Sequence, residues 1–390
     1  MSEPIRILFT IPNFITAGSG QVMLNIVKRL DRKRFAPAVC VSRKGGGLDR
    51  EVEELGIPFI EAPFTVPARP YHTLPFRAWR ASRAFRPYSF ELWHSFHYAD
   101  DYTEPLVARL SGAKKWVYTK KAMGWGSRGW LLRSYLASRI VADNTEMPRL
   151  MFNRRGLRKK LRLIPHGIPT DQYLTKESLL RIRTKLGIPV HQFVIGCVAH
   201  LVPVKGHPTL LRAIARVPSV QLLIAGRPAD HEYVEGLKRM IEELGIEDRV
   251  QFLGGVDDVS SLLAELDAVV LPTRPPGEGC PVALLEAMSC SKACIATDLP
   301  GARDMIEEGI SGLLVPPEDA RALADAIGRL SSSPGLRSSL GAAARKRIEE
   351  KFSIEREVEN HERLYDEIFG SGKRNGVPAL GVETSSESLR

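Results

Sequence analysis

The chain has 390 residues, 44% of them hydrophobic and 26% charged, which is the length and composition of a soluble globular protein with two domains of ordinary size. No apolar run approaches the roughly 18 residues of a membrane-spanning helix, and the N-terminal segment lacks the basic start and the small-residue cleavage site of a signal peptide. The net charge of +10 comes without a recognisable DNA- or RNA-binding module, so nucleic acid is not an expected partner.

Short apolar runs of strand type alternate with amphipathic helical segments, which predicts parallel sheets covered by helices on both faces. The predicted strands of the first half are 5–11, 36–42, 57–63, 91–96, 114–120 and 138–144, with a Gly-containing loop and a helix at about 21–30 after the first. The pattern restarts after 159–168, with strands at 193–201, 220–226, 249–255, 268–273, 293–297 and 311–317. A last helix spans about 354–369, and the tail 371–390 is predicted to be disordered.

These segments predict an α/β protein with two consecutive doubly wound units and a cleft between them. Ligands of open parallel sheets bind beyond the carboxyl ends of the strands, so we look for the site there. The five cysteines show no CxxC spacing, which argues against a zinc site or a disulfide framework and for a reducing cytoplasm. Cys197 and Cys294 lie in apolar strands and are predicted to be buried thiols.

Basic residues are concentrated in the first half of the chain. Residues 1–162 hold 29 Lys and Arg against 13 Asp and Glu, and the stretch 111–162 alone holds 14 against 2, together with Trp116, Trp125 and Trp130. This stretch is either a solvated face or a surface that contacts an anionic acceptor or an anionic membrane, through Coulomb attraction and interfacial aromatic rings.

The loop Gly18-Ser19-Gly20 matches a dinucleotide-binding fingerprint only in part. The third glycine of that fingerprint is missing, and the second strand is followed by Arg and Lys rather than by the acid that would bind a ribose. An NAD-dependent oxidoreductase is therefore not favoured. The loop either brings backbone amides to a phosphate at a helix start or is a tight turn without a ligand.

Two stretches of the second half carry groups suited to a nucleotide sugar. His200 and Lys205 fall at the carboxyl end of a strand, where the lysine is either a diphosphate-neutralising cation or a solvated loop residue. In GEGCPVALLEAM, 277–288, Pro281 fits the first position of a helix, so Glu278 lies in the loop before it and Glu286 within it. Alone, each glutamate would be a solvated acid; together they bracket a helix start that attracts an anion.

Over nearly its whole length, and most strongly over 161–317, the chain resembles the retaining GT-B glycosyltransferases of family 4. EGCPVALLEA is similar to the E-x7-E signature of that family, and six further segments occur in the family's order: LIPHGIPTDQY, HLVPVKGH, LLIAGRP, VQFLGGVDDV, DAVVLPT and GISGLLVPPED. The resemblance implies a GT-B fold in which two Rossmann-like domains, 1–165 for the acceptor and 166–352 for the donor, face a cleft. A C-terminal helix, 353–370, would cross back to the first domain.

The resemblance also implies an activity and site residues. The enzyme would move a hexose-type sugar from a UDP- or GDP-type nucleotide-diphosphate sugar to a glycan or lipid acceptor, without a cofactor or a metal. Glu278 would face the donor hexose, Glu286 would hold the ribose and Lys205 would stabilise the diphosphate. The other implied donor-binding residues are Gly18, Gly20, His200, Gly226, Arg227, Gly279, Cys280 and Pro281.

The sequence departs from the family pattern at two places. The family usually has arginine where His200 stands, and a histidine cannot make the bidentate phosphate contact of arginine, so Arg227 is a hypothetical substitute. The family often has a histidine where Lys120 and Lys121 stand, and these lysines are expected to receive a phosphorylated or acidic acceptor.

His94 and His97 are then the candidates for contact with the donor sugar or the acceptor, with His97 assigned a catalytic role, unless they are packed structural residues. An epimerase or a hydrolase acting on nucleotide sugars would use the same fold and donor site. A non-catalytic sensor would fit His200, although intact Glu278, Glu286 and Lys205 argue against it. We predict a cytoplasmic transferase that is peripheral on the cytoplasmic face of the membrane.

Overall fold

The computed structural model describes residues 3–15, 17–97, 99–124, 128–173 and 181–370. These residues form two parallel sheets with helices on both faces, which confirms the predicted α/β class. Trp125 and the tail 371–390, for which the sequence predicts a surface role and disorder, lie outside the described residues.

The first sheet has seven strands in the order β3-β2-β1-β4-β5-β6-β7. Its strands are β1 (Ile5–Ile11), β2 (Phe35–Val41), β3 (Phe59–Glu61), β4 (Leu92–Ser95), β5 (Lys115–Lys120), β6 (Arg139–Ala142) and β7 (Leu161–Leu163). The helices around it are α1 (Ala17–Arg29), α2 (Asp49–Glu54), α3 (Leu74–Ser82), α4 (Glu104–Ser111), α5 (Arg128–Leu136) and α6 (Met147–Leu150).

The second sheet has six strands in the order β10-β9-β8-β11-β12-β13. Its strands are β8 (Phe193–Val198), β9 (Val220–Ala225), β10 (Val250–Gly254), β11 (Ala268–Leu271), β12 (Ala293–Thr297) and β13 (Leu313–Val315). The helices of this half are α7 (Arg181–Lys185), α8 (His207–Ala215), α9 (His231–Leu244), α10 (Val259–Glu265), α11 (Val282–Ser289), α12 (Pro300–Met305), α13 (Ala320–Ser332), α14 (Pro334–Lys351) and α15 (Ile354–Phe369).

Each sheet has one switch point where the direction of winding reverses, between β1 and β4 in the first and between β8 and β11 in the second. Crevices at the carboxyl ends of strands beside such a point are where doubly wound sheets bind their ligands. His97 follows β4, and Lys205 and Glu278 follow β8 and β11. The fold therefore directs the predicted catalytic residues to the two switch points.

Helix α1 begins earlier than the sequence predicts. Gly18 and Gly20 lie in its first turn rather than in a loop that precedes it. Gly20 packs on the ring of Phe14, which is fully buried below the helix. The predicted loop is therefore wrong, because this packing allows the helix to start directly at Ala17.

The last helix, α15, returns to the first domain. Two backbone hydrogen bonds hold the start of α15 beside Ile168. The N–H of Ile168 donates to the carbonyl of Phe352, and the N–H of Ile354 donates to the carbonyl of Ile168. Ile354, Val358, Leu364 and Tyr365 are part of the core that packs below α1 and β1. The helix predicted over 354–369 and its crossover are confirmed.

Most of the tryptophan rings of the basic N-terminal half are inside the protein. Trp116 and Trp130 are each 4% exposed and lie in the core below α3, α4 and α5. They cannot meet a membrane surface, which corrects the interfacial role predicted for them in 111–162. The exposed rings of this half lie earlier in the chain, at Tyr71, Phe76, Trp79 and Tyr88.

Candidate active site

Lys205 and Glu278 form the centre of the candidate donor site. Lys205 ends the 3-10 turn Pro203–Lys205 after β8, and Glu278 lies in the loop between β11 and α11. The Nζ of Lys205 donates to one carboxylate oxygen of Glu278 over 2.5 Å, and the hydroxyl of Thr273 donates to the other over 3.2 Å. The structure thus brings two residues predicted to be catalytic together as a partly exposed ion pair.

Gly206 fixes the position of Lys205. Its φ is +70°, and a Cβ at this position would lie 1.9 Å from the carbonyl oxygen of Pro272. Only glycine allows this turn to approach the end of β11 so closely. The Lys205 ammonium is therefore held beside the loop that carries Glu278.

Glu286 lies in α11 and is partly buried. Its carboxylate accepts a hydrogen bond from the Tyr173 hydroxyl over 3.0 Å. Burial raises the pKa of Glu286 to about 7, although the Tyr173 hydrogen bond opposes this shift. One carboxylate oxygen has a protein partner, and the ribose contact predicted for Glu286 stays a prediction.

His200, Gly226 and Arg227 lie at the carboxyl ends of β8 and β9. The backbone carbonyl of Arg227 accepts a hydrogen bond from the N–H of Leu201, so the two strand ends lie side by side. The Arg227 side chain is 62% exposed and its guanidinium lies 3.6 Å from Asp257. Arg227 and His200 are thus neighbours, and the replacement of the histidine by the arginine toward a phosphate stays a prediction.

The loop before α11 also connects the two domains. The N–H of Gly279 donates to the carbonyl of Lys121 over 2.9 Å, and the carbonyl of Gly279 accepts from the Asn144 amide over 2.9 Å. Ala122 and Glu278 pair as an antiparallel bridge. The Gly279 amide has a protein partner in this structure, and its predicted contact with the donor stays a prediction.

Cys280 and Pro281 follow at the same loop. Cys280 is buried, and burial raises the pKa of its thiol, so its side chain is not exposed to a ligand and the predicted contact of its backbone with the donor stays a prediction. Pro281 is the extended residue before α11, so the helix begins one residue later than predicted. With Thr273, Glu278 and Leu299 it lines an open pocket at the ends of β11 and β12.

A second pocket, the N-terminal pocket, lies at the carboxyl ends of β4 and β5. It is open to solvent, and its lining includes His97, Lys120, Lys121, Trp130 and Arg133. Lys121 borders both this pocket and the backbone contact to Gly279. The structure thus brings three predicted residues, His97, Lys120 and Lys121, together beside the second domain.

Both lysines of this pocket are perturbed by burial. Burial lowers the pKa of Lys120 to about 8 and that of Lys121 to about 7, while the charge of Asp143 opposes both shifts. The Lys120 ammonium donates to the carbonyl of Gly124 over 3.0 Å. The Lys121 ammonium lies 5.2 Å from the centre of the Phe96 ring. Such perturbed groups are frequent at functional sites.

His94 does not belong to the pocket. It is fully buried, with one ring nitrogen 2.8 Å from the Tyr365 hydroxyl and the other 2.9 Å from the Thr119 hydroxyl. Burial, followed by the charges of His361 and Lys121, lowers its pKa well below the usual value. His94 is a structural residue, and its predicted contact with the acceptor is wrong.

Three charged residues at the N-terminal pocket were not predicted from the sequence. Glu104 and Arg133 are buried and lie 3.4 Å apart, and Asp143 is buried beside Gly279. Asp143 directly follows β6, and this position at the end of a strand could have identified it as a candidate site residue. Glu104 and Arg133 lie in helices, and nothing in their local sequence indicates that they face inward.

Among the described residues, no group of three or more His, Cys, Asp or Glu side chains is arranged to hold a metal ion. In the same part of the chain, no helix combines the length and apolarity needed to cross a membrane.

Two family models match consecutive parts of the chain. Glycosyltransferase Family 4 matches residues 16–172, and Glycosyl transferases group 1 matches residues 180–347. D-inositol 3-phosphate glycosyltransferase of Corynebacterium jeikeium is 32% identical over 247 residues, which are 60% of this chain and 58% of the relative.

The GDP-mannose-dependent alpha-(1-6)-phosphatidylinositol monomannoside mannosyltransferase of Mycolicibacterium smegmatis is 29% identical over 258 residues, 61% of this chain and 66% of the relative. The chain therefore spans less than two thirds of the length of these curated relatives. Among solved structures, Anabaena HepE in complex with UDP and glucose has a TM-score of 0.79 at 21% identity, covering 93% of this chain and 100% of HepE. Sucrose-phosphate synthase from Thermosynechococcus elongatus has a TM-score of 0.77 at 22% identity, covering 94% and 100%.

The GT-B class of glycosyltransferase folds is defined by two doubly wound sheets that face each other and by a C-terminal helix that crosses back to the first domain. The solved structures support this fold. The chain belongs to the glycosyltransferases of family 4 and the glycosyl transferases group 1.

Proposed function

We propose that the protein is a retaining glycosyltransferase that moves a hexose-type sugar from a nucleotide-diphosphate sugar to an acceptor bound in the N-terminal pocket. The pairing of Lys205 with Glu278 at the second switch point carries this proposal. A UDP- or GDP-type donor is supported by the GDP-mannose dependence named for the Mycolicibacterium relative and by the UDP-glucose complex of HepE.

The proposed transfer requires charge stabilisation at the leaving group. The bond between the anomeric carbon and the diphosphate oxygen breaks, the acceptor hydroxyl oxygen bonds to the same face of that carbon, and the hydroxyl proton passes to the departing diphosphate. Negative charge grows on the diphosphate, where a preorganised cation stabilises the transition state most strongly. Lys205 supplies this cation, and Glu278 accepts hydrogen bonds from the sugar hydroxyls.

The N-terminal pocket is proposed to hold an acceptor with an anionic group. Lys120, Lys121 and Arg133 line it, and a phosphate or carboxylate would compensate the cost of burying the two ammonium groups. The pocket lies directly beside the Gly279 contact, so an acceptor hydroxyl there would be near the donor domain. His97 lines the same pocket and is proposed to contact the reacting sugars.

We further propose that the protein docks on the cytoplasmic face of an anionic membrane through residues 67–90, called here the arginine–aromatic segment. It holds five arginines and no acidic residue. Tyr71 and Phe76 are 61% and 62% exposed, and Trp79 lies under the guanidinium groups of Arg83 and Arg86. Exposed rings next to uncompensated cations suit the headgroup region of an anionic bilayer.

A transfer assay with a charge-removing variant tests the proposed reaction. Thermal shifts with UDP, GDP, ADP and their sugars identify the donor, because a ligand that binds the native state raises the Tm. Lys205→Met is then expected to lower kcat/KM by about 100- to 1000-fold, the usual cost of removing one transition-state stabiliser. Lys238→Met, which removes an exposed lysine of the same domain, should stay within about twofold.

Other outcomes would point to the competing functions. Nucleotide release that is independent of every acceptor would indicate a hydrolase, and inversion at C2 without release would indicate an epimerase. Binding without turnover would indicate a sensor. Equal activity of Lys205→Met and the native enzyme would contradict the proposed role of the Lys205–Glu278 pair.

A further inference from the structure

A fully buried carboxylate, Glu104, contacts two residues that line the N-terminal pocket. It is the first residue of α4. One of its oxygens accepts hydrogen bonds from the Thr10 hydroxyl over 2.5 Å and from the Trp93 indole N–H over 3.1 Å. The other accepts from the Ser95 hydroxyl over 2.7 Å. A buried carboxylate with so many donors is held rigidly and in its charged form.

The same carboxylate reaches the pocket through Arg133 and His97. Its second oxygen lies 3.4 Å from the Arg133 guanidinium and 3.8 Å from Nδ1 of His97. Arg133 also donates to the backbone carbonyls of His97, Ala99 and Asp101, at 3.1, 2.9 and 3.1 Å. One ion pair therefore fixes the loop after β4 that carries His97.

Arg133 is suited to hold this loop in place. It is 1% exposed, and its guanidinium lies over the neighbouring rings of Trp116 and Tyr118, about 5 Å from each ring centre. A buried arginine pays a large desolvation cost unless a carboxylate and hydrogen-bond acceptors surround it. Glu104 and the three loop carbonyls meet that requirement.

The His97 ring has a defined orientation. It packs edge-on against Phe64 with 5.6 Å between ring centres, and its side chain is 13% exposed. The charged groups around it are Glu104 from α4, Arg133 from α5, and Lys120 and Lys121 at the end of β5. The Glu104 carboxylate is the anion of this group and faces Nδ1, which favours the tautomer of the neutral imidazole with its proton on Nδ1.

We propose that Glu104 is a positioning residue for sugar transfer. Through Arg133 it fixes the loop that carries His97, and through its own carboxylate it orients the imidazole with its proton on Nδ1. The imidazole would then meet the acceptor or the donor sugar in a fixed orientation. This inference rests on the proposed transferase function for its purpose, but its geometry is independent of the donor site.

Glu104→Gln tests the electrostatic part, because it keeps the size of the side chain and removes its charge. In nitrogen-15 NMR of the substrate-free protein, the His97 ring is expected to change from predominantly the Nδ1–H tautomer toward a mixture of the two neutral tautomers, because the neutral amide attracts the Nδ1 proton less than the carboxylate does. In the transfer assay, kcat should fall by about tenfold or more while KM changes by less than about threefold, because orientation is lost and binding is not.

Glu265→Gln is the matched control. Glu265 is a buried glutamate of the other domain that accepts hydrogen bonds from the backbone N–H groups of Ile182 and Arg183. Its replacement is expected to lower the Tm without changing the tautomer of His97. Equal tautomer populations of His97 in the native protein and in folded Glu104→Gln would overturn the proposal.

A second variant covers the case in which Glu104→Gln does not fold. Glu104→Asp keeps the charge but withdraws it from the ring, so the His97 tautomer populations should change in the same direction by a smaller amount; unchanged populations would again refute the positioning role. Because this NMR measurement needs no substrate, a protein without transferase activity would contradict the proposed function and leave this result intact.

Discussion

Gly279 joins the two domains through both of its backbone polar groups. Its N–H and carbonyl are bonded to Lys121 and Asn144, and its α-carbon lies against the Asp143 carboxylate. A Cβ added there would lie 2.2 Å from Asp143 Oδ1 and 2.4 Å from the Lys121 carbonyl oxygen, and both neighbours are buried. The contact between the domains therefore requires glycine at this position for space, and not for an unusual φ.

Gly279→Ala is expected to open this contact. Relieving an overlap of this size in a packed region costs about 1–3 kcal/mol of folding free energy, and transfer should fall by at least about tenfold because the acceptor and donor pockets separate. Calorimetry and steady-state kinetics measure the two effects. Gly236→Ala in the exposed helix α9, where the nearest atom is 4.0 Å away, should be neutral or slightly stabilising. A native Tm and native rate for Gly279→Ala would show that the contact is not needed.

Single residues also show how far the sequence could predict the site. Lys205 and Glu278 were recognisable because each follows a strand, but their bond to each other joins positions 73 residues apart and depends on β8 and β11 being neighbours. His94 and His97 are three residues apart in the same stretch. Only α15, which brings the Tyr365 hydroxyl to His94 across 271 residues, makes the first a core residue.

The arginine–aromatic segment is the element to which we propose to transfer the membrane contact that the sequence predicted for 111–162. The composition correctly placed the excess of basic residues in the first domain. However, Trp116 and Trp130, which lie within the basic stretch 111–162, face the core. Whether a ring is buried depends on which face of its strand or helix is covered by other elements. A strand that is covered on both faces has no alternation of apolar and polar residues, so its sequence does not show which rings are buried. The exposed rings lie around α3, where neighbouring cations have no carboxylate in the segment.

Vesicle binding tests this element. Arg80→Glu with Arg83→Glu is expected to weaken binding to vesicles of phosphatidylglycerol and phosphatidylcholine by at least about tenfold, because each basic residue near an anionic surface contributes to attraction. Arg154→Glu with Arg155→Glu makes the same charge change at exposed residues outside the segment and should reduce binding by less than about threefold. Co-sedimentation at fixed salt measures both pairs. Equal losses in the two pairs, or equal binding to pure phosphatidylcholine, would contradict docking through this segment.

At the scale of the whole molecule, a buried aspartate, Asp143, lies at the contact between the two domains. Asp143 receives no hydrogen bond from another residue in the described part of the chain, and its carboxylate lies 3.7 Å from His166. Burial raises the pKa of Asp143 to about 7, although His166, Lys120 and Lys121 oppose the shift. An aspartate of the unfolded chain titrates near 4. Between about pH 4 and 7 the folded protein therefore keeps a proton that the unfolded chain has lost.

The stability contributed at Asp143 should thus decrease as the pH rises from about 4 to 7 and become constant above that range. Asp143→Asn removes this dependence, so the variant should gain stability relative to the native protein over the same window, by roughly 2–4 kcal/mol. Urea unfolding at several pH values between 4 and 8 measures the difference. A difference that does not change with pH would show that Asp143 is not buried as a neutral acid.

The alternation of strands and helices was sufficient to predict the fold class and two sheets. It could not predict how the sheets face each other, because the contact depends on the backbone of two loops, at Lys121 and at Gly279, that carry no periodic pattern. The E-x7-E stretch was predicted as a ligand site, and the structure shows that part of it is also a joint between domains.

The position of α15 determines when the first domain can complete its folding during translation. The helix completes the core of the first domain, yet it is synthesised only after the whole second sheet. During translation the first domain emerges without the Tyr365 hydroxyl that binds His94 and without the apolar face of Ile354 and Val358. Its native core therefore closes after the second domain has left the ribosome, and the two halves cannot mature strictly one after the other.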